Sequence, residues 1–408
     1  MRKGRFLISI LIVLSLILPG CQQEVPMADP VAVVEDVEPT ATYDWMAGES
    51  PVPNKRIGTV RAGLAGADVA VSPTGVYFLP AYTVTSEQYI MYVDDGSDQV
   101  IKLCGRADCT HENTDCNAYI KSGSDLSYYG GHLYVVTGEG GNSDQCELIR
   151  MQPDGSGREV LMDLTAFAKE NGGSYIHCDM ITNGFCYLSV YGWKKNEDGT
   201  AGSSWLSSYV YWLDGSSKEP QKLESEGWSL YYCGDVFLTF TGVDTPEEFQ
   251  GTYWHKDVKT DTLTYLTEHP GIAGWYGREE AYYFRDGAIV RLDYATQEEE
   301  VMVDTGLEGE YYAFALPDCL VVGSDDFGEE ADDTLYFYNW EFQLVDTVQI
   351  DYPHNELTSG MIIGETAERI LLTDWFLSSI PKYYINKSEL GSGDVQIHEF
   401  LLPEIDPL

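Results

Sequence analysis

The sequence predicts an all-β chain folded as a seven-bladed β-propeller of four-stranded antiparallel meander blades, with six or eight blades as the neighbouring counts. Composition is the first observation behind this: 40 Gly, 29 Tyr and 9 Trp among 408 residues favour strands and tight turns. A repeat is the second. DLSYYGGHLYVVTG (125–138), a loop, and CELIRMQPDGSGREVLMDL (146–164) read as strand, Gly turn, strand, loop, strand, Asp-Gly turn, strand. The second strand of that unit recurs with Tyr77, Tyr134, Tyr187, Phe237, Tyr283, Val321 and Leu371 in equivalent places, at spacings of 57, 53, 50, 46, 38 and 50. Units of this length are those of propeller blades. One such sheet has exposed edges and too little core, whereas a closed ring buries each blade against its neighbours. Tandem β-sandwiches are the competing architecture, but they do not need one meander repeated seven times.

Taken from the N-terminus, residues 1–20 read as an export signal. Arg2, Lys3 and Arg5 precede an apolar run from Phe6 to Leu18 that is too short to span a bilayer. The run ends in Leu18-Pro19-Gly20-Cys21, which resembles a bacterial lipobox and implies that Cys21 carries a diacylglycerol anchor. A plain signal peptide with a chance cysteine is the other reading. The expected location is therefore extracytoplasmic, lipid-anchored to the cell membrane and displayed at the cell surface. Residues 21–55 follow as a tether: after Cys21 they hold five prolines, seven carboxylates and no base before Lys55. Such a segment is expected to be disordered and to reach roughly 30 Å as a flexible coil.

Residues 56–408 are expected to form the single propeller domain, with blades from about residue 66. Residues 56–64 could add a ring-closing strand and shift the blade boundaries. The formal net charge of −42 becomes more negative once the basic leader is removed. A surface of that sign repels phosphate backbones, so nucleic acid is excluded as a partner.

Between the fourth strand of the first blade and the first strand of the second lies LCGRADCTHENTDCNAYI (103–120), with Cys104, Cys109, His111 and Cys116 in 13 positions. Four soft or borderline ligands in a short loop can close on one structural Zn²⁺, and Gly105 and Asn113 suit the turns. Four protein ligands leave no open coordination position, so a catalytic metal is not expected. A disulfide is the second reading, although three cysteines are an odd number; unpaired or redox-active thiols are the third. The spacing excludes covalent haem attachment. Cys146, Cys178, Cys186, Cys233 and Cys319 mostly fall in apolar strands and read as small core residues.

In a meander blade the second-to-third loops and the blade-to-blade connections share one face, and here they are the long ones. They include 138–145, 192–205, 242–250, 323–333 and 374–381. Irregular loops on a rigid scaffold are where binding residues collect, so Trp193, Trp205, Phe327 and Trp375 are the candidate ligand contacts. Their competing role is to cap the edges of their own blades. The carboxylates Asp325, Asp326, Glu329, Glu330, Asp332 and Asp333 do not follow an EF-hand register, and calcium is not expected.

The lipobox-like end at Cys21 and LCGRADCTHENTDCNAYI together resemble a group of uncharacterised β-propeller surface lipoproteins of Clostridia-type bacteria, which carry an LC-x4-C-x-H-x4-C-NAY element in an early blade. The resemblance spans 66–402 and implies the fold and the location, but no activity. The sequence holds no GxSxG, HExxH, P-loop, Rossmann or sialidase Asp-box signature. The leading expectation is a binding module that presents its long-loop face to a glycan, peptide or surface protein. A carbohydrate-active enzyme (hydrolase or lyase) and an envelope-complex subunit are the alternatives. Fold alone does not choose among them.

Overall fold

The computed structural model describes residues 69–403, apart from a few turn residues and the stretches 81–86, 139–144, 196–200, 214–218, 224–228, 258–261, 271–273, 325–332, 352–360 and 374–379. The leader, Cys21, the tether and residues 56–64 lie outside the described residues.

Seven four-stranded antiparallel sheets follow one another, each built from consecutive strands. Blade 1 comprises Val69–Ser72, Gly75–Phe78, Met91–Asp94 and Ile101–Lys102; blade 2 Gly123–Tyr129, His132–Thr137, Glu147–Met151 and Glu159–Asp163. Blade 3 comprises Tyr175–Thr182, Phe185–Lys195, Ala201–Trp212 and Gln221–Lys222; blade 4 Ser229–Cys233, Val236–Thr245, Glu248–Asp257 and Thr262–Pro270. Blade 5 comprises Gly274–Tyr276, Glu280–Arg285, Ala288–Asp293 and Glu298–Asp304; blade 6 Tyr311–Ala315, Leu320–Ser324, Thr334–Tyr338 and Leu344–Gln349. Blade 7 comprises Met361–Glu365, Arg369–Thr373, Tyr383–Asn386 and Ile397–Glu399. First strands of blades 1 and 2, 2 and 3, and 5 and 6 touch, as expected of the inner ring of a propeller. The seven-bladed architecture read from the repeat is the one observed.

Burial explains the repeat. Second strands are sandwiched between neighbouring blades on both faces, so GVYF, LVVGS and RILLT are buried throughout. Fourth strands lie at the rim, and EVLMD and EEEVMVD are largely exposed and charged. Turn chemistry sets the register. Gly130 and Gly131 both have positive φ between Tyr129 and His132, and Asp286 and Gly287 do the same between Arg285 and Ala288. Two consecutive left-handed residues are the signature of a type I′ hairpin, whose twist matches that of the strands.

Blade 7 closes on blade 1 by packing, since its four strands all come from 361–399. Val76, Phe78, Met91 and Val93 share one core with Ile363, Leu371, Tyr384 and Phe400. Beyond the last strand, Leu401 forms a parallel bridge with Gln99: Leu401 N–H donates to the Asp98 carbonyl (2.8 Å) and Val100 N–H to that of Leu401 (3.1 Å). Arg369 spans the same seam. It donates to the Ser97 carbonyl (2.8 Å), the Asp94 carbonyl (3.4 Å) and Asp98 Oδ1 (3.1 Å), and stacks 4.1 Å from the Tyr384 ring.

Two features depart from the sequence reading. Helix α1 (Leu164–Glu170) lies between blades 2 and 3, where no helix was expected. Its signal was present: Asp163 Oδ1 caps it by accepting from Ala166 N–H (2.8 Å), and Gly172 follows its end with φ 75. Asp163→Ala is expected to cost about 1 kcal/mol in thermal unfolding, while Asp163→Ser should recover most of it. The second departure is that the described residues of 192–205 and 242–250 are strand rather than loop. Strands Phe185–Lys195 and Ala201–Trp212 pair far out, with Trp193 opposite Ser204 and Gly192 opposite Trp205. Val236–Thr245 and Glu248–Asp257 pair as far as Thr245 opposite Glu248. Neither GWKKNEDGTAGSSW nor GVDTPEEFQ shows the period-2 alternation that marks a strand, so the ladder there is set by pairing with the partner strand rather than by composition.

Candidate metal centre

The loop that carries Cys104, Cys109, His111 and Cys116 is pinned at its base. Ile90 takes the Leu103 N–H on its carbonyl (2.8 Å) and gives its own N–H to the Ala118 carbonyl (2.8 Å), so both ends of the loop meet one residue. Glu87–Tyr89 and Tyr119–Lys121 extend this into a two-stranded sheet in which Tyr89 and Tyr119 meet edge to face at 5.8 Å. Lys102 lies over the Tyr89 ring (4.2 Å) and donates to the His111 carbonyl (2.8 Å). Inside the loop, Arg106 grips Asp108 through both carboxylate oxygens (3.3 Å each) and the Asp115 carbonyl (2.9 Å). His111 itself is left-handed, with φ 58.

This framework brings the four expected side chains together. Their ligand atoms all lie within 4.8 Å of one another, and Cys116 Sγ is 3.6 Å from His111 Nδ1. Zinc at ~2.3 Å from sulfur and ~2.0 Å from nitrogen in a tetrahedron spaces its donors roughly 3.5–3.8 Å apart. Cys116 is buried, while Cys104, Cys109 and His111 are half-buried.

The sulfurs are surrounded by donors. Cys104 accepts from the backbone N–H of Arg106 and Asn117, Cys109 from that of His111 (3.4 Å), and Cys116 from that of Ala118. Each cysteine thus receives the N–H of the residue two positions on, a turn that offers partial positive charge to a thiolate. Burial opposes ionisation of Cys104, but the N–H bonds and the neighbouring thiols outweigh it and hold its pKa below the ordinary thiol value. Burial pushes Cys116 up to about 12, and its hydrogen bonds with Cys109 and Cys104 and the charge of Cys104 add to that. One thiolate forms readily, and the next requires a cation among them. The set fits a metal ion that takes three thiolates and one imidazole.

One contributor comes from outside the loop and carried no signal in the sequence. The outer turn of blade 2 folds back onto it: Arg158 donates to the Asn117 carbonyl and lies within electrostatic reach of Cys104 and Cys116. Gly155 has φ 78, and a Cβ there would stand 2.7 Å from the Asn117 carbonyl oxygen and 3.1 Å from that of Leu103. Gly155→Ala is therefore expected to push the turn off the loop and weaken metal retention several-fold in a chelator competition. Gly157→Ala, whose Cβ would meet only the Gln152 side chain at 3.3 Å, is the control for positive-φ strain alone.

Trp193 and Trp205 lie on the extended hairpin of blade 3 rather than on a loop, and Phe327 and Trp375 lie outside the described residues. Asp325, Asp326, Glu329, Glu330 and Asp332 lie outside them as well. A cavity of about 330 Å³ between blades 6 and 7 was not foreseen. It is lined by Phe337, Ile370 and Leu390 around an ion pair between Lys387 and Glu365 (2.5 Å).

No protein-family model matches the chain, and no curated protein does. Solved structures match at low identity. The Pyrococcus horikoshii acylaminoacyl peptidase is 10% identical over 83% of this chain and 53% of that chain, with a TM-score of 0.47. The chain thus spans about half the length of that peptidase. The Dos1 propeller is 11% identical over 86% and 98%, with a TM-score of 0.35. The β-propeller domain of the Trilobed protease from Pyrococcus furiosus is 13% identical over 69% and 99%, with a TM-score of 0.30. At these levels the likeness concerns fold and carries no activity across.

Proposed function

We propose that the chain is a lipid-anchored, extracytoplasmic propeller that acts as a binding module, held to the membrane through Cys21 and braced by one structural Zn²⁺ on Cys104, Cys109, His111 and Cys116. Its kinship, on the lipobox-like end and the LC-x4-C-x-H-x4-C-NAY element, is with the surface lipoproteins of Clostridia-type bacteria. The observation that carries the binding reading is the hairpin pair of blades 3 and 4. Their second and third strands run 11, 12, 10 and 10 residues, against 4 to 6 in the other five blades. Both hairpins are second-to-third connections of adjacent blades, so they extend from the same side of the ring. Regular ladders projecting from a rigid ring hold a recognition surface in place at little entropic cost when a partner docks. The metal set supports a bracing role, because four protein ligands fill a tetrahedral ion.

The test uses residues 22–408, which omit the lipid cysteine, applied to immobilised cell-wall glycans and to detergent-solubilised envelope proteins. Retention that is lost when 194–203 is replaced by a two-residue Asn-Gly turn, with the melting temperature held, supports the module. Release of shortened glycan products would replace it with the carbohydrate-active enzyme reading. For the anchor, wild-type protein is expected in the detergent phase of a phase partition and Cys21→Ala in the aqueous phase. Equal partition of the two would remove the lipid from the account.

A further inference from the structure

Cys178 and Cys186 face each other in the core between blades 2 and 3. Their Sγ atoms are 3.4 Å apart, and both residues are almost fully buried, at 1% and 0% exposure. The pairing register explains why. Cys178 lies opposite Leu188, and the register then slips, so that Met180 lies opposite Tyr187 and Ile181 opposite Cys186. Cys186 and Leu188 are two apart on one strand and point to the same face, so Cys178 shares that face with Cys186. Residues on such a diagonal are ordinarily too far apart for small side chains to touch. The bulge draws this pair into contact.

We infer that Cys178 and Cys186 form the structural disulfide of this chain, while the three knuckle cysteines stay reduced on their metal. The location rests on the extracytoplasmic reading above, because disulfides persist in oxidising compartments. The S–S bond, about 2.0 Å long, needs an approach about 1.4 Å closer than the present contact. In chemical terms, the thiolate of one cysteine attacks a low-molecular-weight disulfide or an oxidase disulfide and expels one thiol. The second cysteine then attacks the mixed bond and expels the other. Two S–H bonds are lost, one S–S bond forms, and the external disulfide is reduced to two thiols. The two cysteines belong to one hairpin and are eight positions apart, so ring closure is local and can occur before the blade is buried. This also resolves the odd cysteine count of the 103–120 loop, since no knuckle thiol is needed as a disulfide partner.

Cys146 is the rival partner among the described residues of this cluster, being buried in the same core. Peptide mapping separates the two, because trypsin leaves Cys178 and Cys186 together in 170–194 and Cys146 in 122–150. The reduced, unfolded chain 22–408 would be refolded with zinc in a glutathione redox buffer, chelated in denaturant and alkylated, then digested. The expected result is a 170–194 peptide that takes up no alkyl group until reduced and is lighter by two hydrogens, with Cys104, Cys109 and Cys116 fully alkylated. Two alkyl groups on 170–194, or a link from it to 122–150, would overturn the pairing. The same map on full-length protein from its bacterial host tests the compartment separately. A pair that closes in the redox buffer but is alkylated in host material upholds the pairing and overturns the extracytoplasmic reading.

Discussion

Cys109→Ser is expected to lose the metal and loosen the seam between blades 1 and 2. Wild-type 22–408, purified reduced and without chelator, should carry about one zinc per chain. The variant should carry almost none, because one missing thiolate leaves three donors and an open, hydrolysable position. The cost in stability should be several kcal/mol, short of the ~10–16 kcal/mol by which zinc drives small fingers to fold. Blade 1 shares its core with blade 7 and blade 2 with blade 3, so what is lost is the loop, its Ile90 clamp and the docking of Arg158. Metal analysis with thermal melts, with and without chelator, checks both parts. Wild-type protein without metal and with two thiols missing from residues 103–120 after air exposure would replace the zinc site with a disulfide.

Arg369→Ala is expected to destabilise the ring strongly for a single change at a seam, at about 1–3 kcal/mol. Arg369 is 7% exposed and its fork is filled from blade 1 by the Ser97 and Asp94 carbonyls and by Asp98. Truncation takes the guanidinium from the Ser97 carbonyl, leaves the Asp94 carbonyl with the Ser97 N–H and Asp98 Oδ1 with the Tyr384 hydroxyl, and removes the cation from the faces of Tyr384 and Phe400. Because Asp98 is half exposed, Asp98→Asn should cost much less. Arg369→Lys should fall in between, keeping the charge and losing the fork. Denaturant titration of the three variants gives the ranking, and an Arg369→Ala protein as stable as Asp98→Asn would remove the latch from the account of closure.

The same seam sets an alkaline limit. Tyr384 donates its hydroxyl to Asp98 Oδ1 (2.5 Å), and burial, then Asp98, pushes its pKa up to about 12. Its folded pKa lies above the ordinary value of ~10, so its contribution is complete below pH ~10 and is lost as pH rises through about 12. Stability measured across that range should fall less steeply in Tyr384→Phe, by the share of one titrating group.

The sequence carried the blade count because second strands are buried on both faces and must be apolar throughout, which leaves a periodic trace at Tyr77, Tyr134, Tyr187 and their equivalents. It carried the Cys/His cluster because a loop of 13 residues closes on itself through short-range turns. It misplaced the hairpins of blades 3 and 4 as loops, because Gly192, Gly242 and Gly251 read as breakers, although Gly242 and Gly251 pair directly across the ladder.

Apart from helix α1 and the hairpins of blades 3 and 4, what is local was therefore legible in the sequence: strand, turn, meander and the Cys/His cluster, each encoded within about one repeat. Tertiary structure alone decided what meets across blades. Arg369 reaches Asp98 across 271 positions, and the Gly155 turn closes over a loop that nothing in its own residues announces. Within blade 3, a single bulge sets Cys178 against Cys186. The physical reason is the same in each case. Pairing along a hairpin follows a fixed period that composition can display, whereas contacts between sheets, and the offset added by a bulge, depend on twist and packing that no spacing in the chain records.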